Sequence, residues 1–214
     1  LYLIIQVPIM LILGLVIANL LNSPKLKCRS FYRTAIFLPC VTSLVAYSIL
    51  FKSIFALDGV INNFLLFIHV IDEPIAWLLD PIWAKVVIII AITWRWTGYN
   101  MIFYLASMQN IDSSVYEAAE IDGASKFQQF TKITIPLLKP IILLTTIMST
   151  NGTLQLFDEA MNITNGGPGN STMTISQYIY NLSFVYTPNF GYAATVSYAI
   201  VFMVAILAII QFKL

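Results

Sequence analysis

Long apolar runs separated by shorter polar segments dominate the hydrophobic pattern of this chain. A helix needs about 20 mainly apolar residues to cross the hydrocarbon core of a bilayer, and it satisfies its own backbone hydrogen bonds there. The pattern therefore predicts an all-α membrane protein with about five transmembrane helices. The predicted spans are Leu1–Leu21, Arg33–Phe55, Ala84–Met108, Leu137–Ile163 and Ala193–Phe212.

Composition supports a bilayer as the solvent of this chain. Of its 214 residues, 59% are hydrophobic and 10% are charged, and the mean hydropathy is +0.83. Soluble domains carry about 25% charged residues, so this chain has too little polar surface to cover a soluble core. No internal repeat and no Pro/Ser-rich linker divides the sequence, which indicates one domain over residues 1–214.

Residues that could carry catalysis or bind metal are sparse. A net charge of +1 gives no reason to expect nucleic-acid binding. Cys28 and Cys40 make neither a disulfide framework nor a metal site, and His69 has no second ligand nearby in sequence. The chain also has no G-x-x-x-x-G-K-[ST] phosphate loop. We therefore expect no catalytic residue, metal or cofactor in this chain.

The unequal distribution of positive charge predicts the orientation in the membrane. Cytoplasmic loops carry an excess of Lys and Arg. If the spans alternate, the basic residues that share one side are Lys25, Lys27, Arg29, Arg33, Lys126, Lys132, Lys139 and Lys213. The 22–33 loop, the 117–140 segment and the C-terminus are therefore predicted to be cytoplasmic. Because the first span opens inside an apolar run, we also expect one or more spans upstream.

The polar segment Glu117–Pro140 is predicted to form two short helices joined by a turn. Ser114 begins an S-x-x-E capping box and Ser125 an S-x-x-Q capping box. Gly123 lies where a left-handed residue commonly ends a helix. Pro136 lacks an N–H and is expected to separate the second helix from the span that follows.

Two interpretations of this segment fit its local pattern. It could be a connector between spans, with Glu117 capping its own helix. A connector needs only a few residues, whereas this segment has two capped helices, and Phe127, Phe130 and Ile133 recur at helical spacing to form an apolar side. A docking element for a cytoplasmic partner explains both features, and small Ala118–Ala119 would let another surface approach the backbone.

The segment resembles the signature loop of inner-membrane permeases in binding-protein-dependent ABC importers. Stretches outside the loop resemble the carbohydrate branch of this family and are similar to maltose- and lactose-type permeases. The resemblance extends over most of the chain. The loop residues that carry the resemblance are Glu117, Ala118, Ala119, Asp122, Gly123, Ala124, Phe130, Ile133, Pro136 and Pro140, and the further matches are residues 31–39, 94–111, 157–172 and 190–202.

The resemblance implies a fold, partners and a coupling site. It implies a fragment of a six-helix-type permease core, with its N-terminal span or spans missing, in the bacterial inner membrane. The implied partners are a second homologous permease, two ABC ATPase subunits and an extracytoplasmic sugar-binding protein. The loop helix would seat on the ATPase subunit and pass its movement to the membrane helices. The implied coupling residues are Glu117, Ala118, Ala119, Asp122, Gly123, Ile133 and Pro136.

Polar residues inside the fourth predicted span suggest a substrate path. Intramembrane polar groups usually face a protein interior or water, and sugars are bound by hydroxyls, amides and aromatic faces. Ser149, Gly152 and Thr153 fit this use, and they fit ordinary helix–helix packing equally well. The resemblance favours the sugar path for these three residues, and Tyr99 and Asn100 are weaker candidates.

Charged residues near or within the spans carry separate expectations. Arg95 lies far from either end of the third span, where it could pair with a carboxylate of a partner permease or snorkel outward, and snorkelling is slightly favoured. Asp158 and Glu159 are expected to be interfacial.

The Gly-rich stretch 165–172 is predicted to be an outside turn. It could be a surface loop on the headgroups, or Gly166, Gly167 and Pro168 could contact the binding protein. A secondary transporter driven by an ion gradient is the rival function, and it would require intramembrane carboxylates or broken helices in paired halves. A membrane subunit without a transport path is a third possibility, and the exact sugar is not predicted.

Overall fold

The computed structural model describes residues 1–23 and 26–213, and within these ranges every regular element is helical. Lys25, which contributes to the charge asymmetry above, lies outside the described residues. The helices are α1 (Tyr2–Asn22), α2 (Arg29–Val41), α3 (Leu44–Ile54), α4 (Val60–Phe67), α5 (Pro81–Gln109), α6 (Ser113–Ile121), α7 (Lys126–Gln129), α8 (Ile135–Leu137), α9 (Lys139–Leu154), α10 (Ile175–Tyr180) and α11 (Phe190–Lys213). Short π-helical turns occupy Phe130–Thr134, Ala160–Thr164 and Asn181–Val185.

Up to five of these elements are long and apolar enough to cross a membrane, which confirms the predicted all-α membrane class. Helices α1, α5 and α11 qualify by themselves. The number rises to five if each of two bent helix pairs is counted as one span. These pairs are α2 with α3, and the helical segment Lys126–Leu137 with α9.

Two predicted spans are interrupted in the structure. The span predicted over Arg33–Phe55 has a break between α2 and α3, where Ser43 is extended at φ −56° and ψ 134°. The span predicted over Leu137–Ile163 ends as a helix at Leu154, and a π turn forms over Ala160–Thr164. Apolar content predicted continuity, but Ser, Thr, Asn and Gly near the breaks do not favour the helix interior.

The chain divides into two compact units, and helices α1, α5 and α9 contribute residues to both. The first unit comprises residues 1–6, 42–93 and 150 onward, and the second comprises residues 7–41 and 94–149. The second unit is built on an apolar core that we call the Tyr104 cluster. The Tyr104 hydroxyl in this cluster forms a hydrogen bond with Thr145 Oγ1 at 2.7 Å. The buried members of this cluster are Leu15, Ala18, Leu21, Met101, Tyr104, Leu105, Met108 and Leu138.

The first unit has an aromatic core that holds the segment between α3 and α5. Its buried members include Phe55 and Trp77, whose rings meet edge to face with centroids 5.6 Å apart. Asn62 on α4 is fully buried beside them. Its amide oxygen accepts from the Ile75 N–H at 3.1 Å and from Trp77 Nε1 at 2.9 Å, and its Nδ2 donates to the Ile75 carbonyl at 2.9 Å. These bonds satisfy a buried amide that would otherwise be costly.

Helix α11 is largely exposed and apolar. Val201, Phe202 and Ile206 expose more than half of their surface, which suits a helix that faces lipid or another membrane helix. Its only described polar contact with α9 inside this unit is the bond from Gln211 Nε2 to Thr150 Oγ1 at 2.9 Å.

Candidate coupling loop and transport path

Helix α6 begins one residue earlier than its predicted cap. Its N-cap is Asp112, whose carboxylate accepts from the Ser114 N–H at 3.0 Å. This hydrogen bond to the Ser114 backbone, with a further one from the Ser114 side chain, lowers the pKa of Asp112. The capping box predicted at Ser114 is therefore wrong: Ser114 lies inside the helix, and Glu117 lies exposed along it.

The C-terminus of α6 is a Schellman motif. The Ala124 N–H donates to the Ala119 carbonyl at 2.9 Å, and the Gly123 N–H donates to the Glu120 carbonyl at 3.0 Å. Gly123 has φ +77°, as the prediction of a left-handed residue requires. A Cβ added to Gly123 would meet nothing within 4 Å. The glycine is therefore required by its backbone conformation and not by lack of space.

Helix α7 begins with the capping box that the sequence predicts. The Gln128 N–H donates to Ser125 Oγ at 3.3 Å, and the Ser125 N–H donates to Gln128 Oε1 at 2.8 Å. Next to this cap, Gln129 is buried and its Nε2 donates to the Ala124 carbonyl at 3.2 Å. The two helices therefore meet across a turn that is held by backbone and side-chain bonds.

Pro136 does not separate the second loop helix from the following span as predicted. The chain stays helical from Lys126 to Leu137, with a π turn over Phe130–Thr134, and the 70° bend into α9 comes at a break after Leu137. The π turn places Pro136 in the first turn of α8, where its missing N–H is least costly. Leu138 at the bend is fully buried in the Tyr104 cluster.

A side-chain contact joins α6 to the π turn, and the sequence did not predict it. The Tyr116 hydroxyl lies 2.8 Å from Thr134 Oγ1. Thr134 is buried, and its Oγ1 also donates to the Gln129 carbonyl at 3.4 Å. No local pattern predicts a bond between residues 18 positions apart.

The loop presents apolar side chains to solvent. Ile121 is 87% exposed and Phe127 is 75% exposed, and Ala118 is also exposed, whereas Ala119 is buried. The apolar side predicted for Phe127, Phe130 and Ile133 is divided in the structure, because Phe130 packs against the Tyr104 cluster while Phe127 points outward.

Two candidate path residues lie together in the second unit. Ser149 Oγ lies 3.5 Å from Asn100 Oδ1, and the buried Asn100 donates from Nδ2 to the Trp96 carbonyl at 3.2 Å. Tyr99 is half-buried, with its ring edge-on to those of Trp96 and Phe103 at centroid distances of 5.8 and 5.0 Å.

The other two candidates belong to the first unit. Thr153 Oγ1 donates to Oε1 of the fully buried Gln6 at 3.0 Å, which is a helix–helix packing contact. Gly152 is exposed, and a Cβ there would meet nothing within 4 Å. Gln155, also exposed, lies three residues after Gly152 and just beyond the end of α9 at Leu154. Of the predicted set, Gly152 is the residue that the structure leaves open to a ligand.

Arg95 does not snorkel, which corrects the expectation from sequence. It is 6% exposed, its Nη2 donates to the Cys40 carbonyl at 3.4 Å, and its guanidinium carbon lies 5.8 Å from the centre of the Trp96 ring. Cys40 Sγ in turn donates to the Arg95 carbonyl at 2.7 Å. Glu159 is 4% exposed and Asp158 is exposed, and their position at the membrane interface stays a prediction.

The Gly-rich stretch forms a packed turn. Thr172 is buried and donates to the Gly167 carbonyl at 2.7 Å, and Thr164 Oγ1 lies 2.7 Å from Thr172 Oγ1. Gly166 is buried at φ +78°, and a Cβ there would lie 3.1 Å from Gln177 Nε2. Gly167 and Pro168 are half-exposed, and the contact of these three residues with a binding protein stays a prediction.

Comparison with known proteins gives a family match over nearly the whole chain. The sequence profile of the family described as "Binding-protein-dependent transport system inner membrane component" matches residues 10–213. The chain is 65% identical over 213 residues to the lactose transport system permease protein of Rhizobium radiobacter, covering 99% of this chain and 72% of that protein. It is 36% identical to the trehalose/maltose transport system permease protein of Thermococcus litoralis, covering 83% of this chain and 59% of that protein.

The chain spans less than two thirds of several curated relatives, including the arabinooligosaccharides transport system permease protein of Halalkalibacterium halodurans, of which it covers 57% at 35% identity. Among solved structures, a bacterial ABC transporter involved in alginate import matches with a TM-score of 0.86 at 23% identity, over 99% of this chain and 76% of that chain. A likeness at this identity shows the shared fold.

Proposed function

The chain belongs to the family of binding-protein-dependent transport system inner membrane components, and from that premise we propose that it is the membrane permease subunit of an ABC sugar importer. It forms part of the translocation path, which opens alternately to the two sides of the membrane. The 117–140 loop couples this path to ATPase subunits in the cytoplasm. The single observation that carries the proposal is the 65% identity to a lactose permease over 99% of the chain.

The geometry of the loop supports docking on a partner. Side chains as exposed and apolar as Ile121 and Phe127 are unfavourable in water, and the caps at Asp112 and Ser125 hold their helices in one conformation. A rigid helix pair with an exposed apolar face fits a cleft on a folded protein. That partner is an ABC ATPase subunit, which supplies the phosphate-binding loop that this chain lacks in its sequence.

A second permease and a binding protein complete the proposed complex. The exposed apolar surface of α11 suits contact with lipid or with the second permease in a bacterial inner membrane. Gly167 and Pro168 are half-exposed on a turn whose shape is set by Thr172, and they present a fixed surface to the extracytoplasmic binding protein. A structural neighbour, the alginate transporter, is described in complex with an alginate pentasaccharide-bound periplasmic protein.

Lactose is the first substrate to test. The lactose permease is 65% identical to this chain, whereas the arabinooligosaccharide and trehalose/maltose permeases are 35% and 36% identical. Gly152, exposed on α9, is the proposed contact with the sugar, and the exposed Gln155 just beyond the helix is a second candidate. Thr153, next to Gly152, is held by its bond to Gln6, and in the second unit Ser149 Oγ lies 3.5 Å from Asn100 Oδ1.

Reconstitution of the complete transporter in proteoliposomes tests the proposal. With ATP inside and the binding protein outside, lactose is taken up in an ATP-dependent manner, and maltose and arabinooligosaccharides more slowly. Lactose uptake driven by an ion gradient without ATP would instead support a secondary transporter. Absence of uptake for every sugar would support a membrane subunit without a transport path.

A further inference from the structure

Helix α6 is attached to the π turn at Phe130–Thr134, which in turn packs against the Tyr104 cluster. The contacts that hold the loop in place include the Schellman turn at Gly123, the packing of Phe130 against the Tyr104 cluster, and the bond between Tyr116 and Thr134. The first joins α6 to α7 within the loop. The second anchors the π turn to the core. The third joins a side chain of α6 directly to a side chain of the π turn.

Tyr116 acts as the hydrogen-bond donor in this pair. Thr134 Oγ1 has one proton, which it gives to the Gln129 carbonyl at 3.4 Å, and so it accepts from the Tyr116 hydroxyl at 2.8 Å. Thr134 is 3% exposed, which shields this bond from competition by water. Tyr116 is half-buried on the helix that carries exposed Ile121.

Thr134 connects directly to the start of α9. It closes the π turn, Leu138 N–H donates to the Thr134 carbonyl at 3.0 Å, and Leu138 is fully buried where the chain bends by 70° into α9. π-Helical turns are less regular than α-helix and are common at functional sites. A displacement of α6 that pulls on Thr134 therefore acts on the bend at which α9 begins.

We propose that Tyr116 and Thr134 are positioning residues for coupling: their hydrogen bond transmits movement of the docked α6 helix to the bend at the start of α9. The inference rests on the proposed function of the loop as an ATPase-docking element and names the contact through which that loop acts. Docking itself depends on the exposed face around Ile121 and Phe127, which the bond does not touch. Recruitment of the ATPase and transmission of its movement are thus separable in this chain.

Conservative variants separate these two roles. Tyr116→Phe and Thr134→Val each remove one hydroxyl and keep nearly the same shape, while Thr134→Ser keeps the hydroxyl. Tyr32→Phe, at an exposed tyrosine on α2, is the matched control. The complete transporter is purified for each variant. The measurements are the amount of co-purified ATPase, sugar uptake in proteoliposomes, and the number of ATP molecules hydrolysed per sugar.

Sugar uptake falls roughly three- to tenfold in Tyr116→Phe, which removes one neutral hydrogen bond. It falls at least as far in Thr134→Val, which also removes the bond to the Gln129 carbonyl. ATPase recruitment stays unchanged, so the ATP hydrolysed per sugar rises. The double variant is no worse than Thr134→Val alone, because that variant already lacks the bond between Tyr116 and Thr134. Thr134→Ser and Tyr32→Phe transport as the unchanged protein does.

Other results overturn the inference. An unchanged ratio of ATP to sugar in both single variants would mean that the bond transmits nothing. Loss of the ATPase, or loss of the permease from the membrane, in both variants would mean that the pair serves docking or folding. If the unchanged transporter itself shows no ATP-dependent uptake, the proposed function fails and this inference fails with it.

Discussion

In the turn after α6, the N–H of Ala124 donates to the carbonyl of Ala119 at 2.9 Å across a left-handed glycine. This bond closes the helix and sets the direction in which the chain enters α7. Gly123 between them has φ +77° and open space around its Cα. The orientation of the two loop helices therefore depends on a backbone conformation that other residues adopt at a cost.

Gly123→Asp is expected to weaken ATPase recruitment and sugar uptake. A side chain at this φ costs roughly 1 kcal/mol or more, and relief of the strain would turn α7 relative to α6. Co-purification of the ATPase and uptake rates measure the effect. Gly191→Ala is the control, because this exposed glycine lies within α11 and alanine favours helix by about 1 kcal/mol.

Full recruitment and full uptake in Gly123→Asp would show that the loop is a connector only. Glu117→Lys gives an independent check of the docking surface. Because Glu117 caps nothing in the structure and is exposed, any loss of recruitment in that variant reports contact with the partner and not a broken helix cap.

Gly152→Leu is expected to lower sugar uptake while the complex still assembles. A Cβ at this position meets nothing within 4 Å, so the leucine side chain is expected to extend into the space beside α9. Uptake assays and co-purification measure the two effects. Gly191→Leu, at an exposed helical glycine of α11, is the matched control and should transport normally. Normal transport by Gly152→Leu would remove this face of α9 from the proposed path.

Single cysteines at Ser125 and Gly169 are expected to react from opposite sides of the membrane. Both positions are exposed, and the charge asymmetry predicts Ser125 in the cytoplasm and Gly169 outside. The experiment replaces Cys28 and Cys40 and applies an impermeant thiol reagent to intact cells. Reaction of both cysteines from outside would contradict the predicted orientation.

Asn62→Ala is expected to destabilise the protein by about 2 kcal/mol or more. The substitution leaves the Ile75 N–H and Trp77 Nε1 without their buried acceptor, and such unsatisfied groups cost about 1–3 kcal/mol each. Thermal unfolding followed by tryptophan fluorescence measures the loss. The neighbouring Asn63→Ala is the control, because Asn63 makes one exposed bond to the Asp58 carbonyl and should change stability by about 0.5 kcal/mol or less. Equal stability in both variants would show that the Asn62 bonds are not needed.

The sequence by itself determined the features that depend on nearby residues. Apolar run length predicted the membrane class, and the Ser125 capping box and the left-handed Gly123 followed from residues within one helical turn. These features are local because a helix cap is satisfied within three or four positions. The resemblance of the 117–140 loop to the signature loop of ABC importer permeases likewise rests on its sequence alone.

Only the tertiary structure decided how polar side chains are used. Arg95 is buried against Cys40, 55 positions away, and Tyr116 bonds to Thr134. Thr153, expected on a sugar path, bonds to Gln6. A polar residue inside a membrane must find a partner, but its hydropathy does not say which helix supplies one. That choice depends on the packing of segments distant in sequence, which a local pattern does not contain.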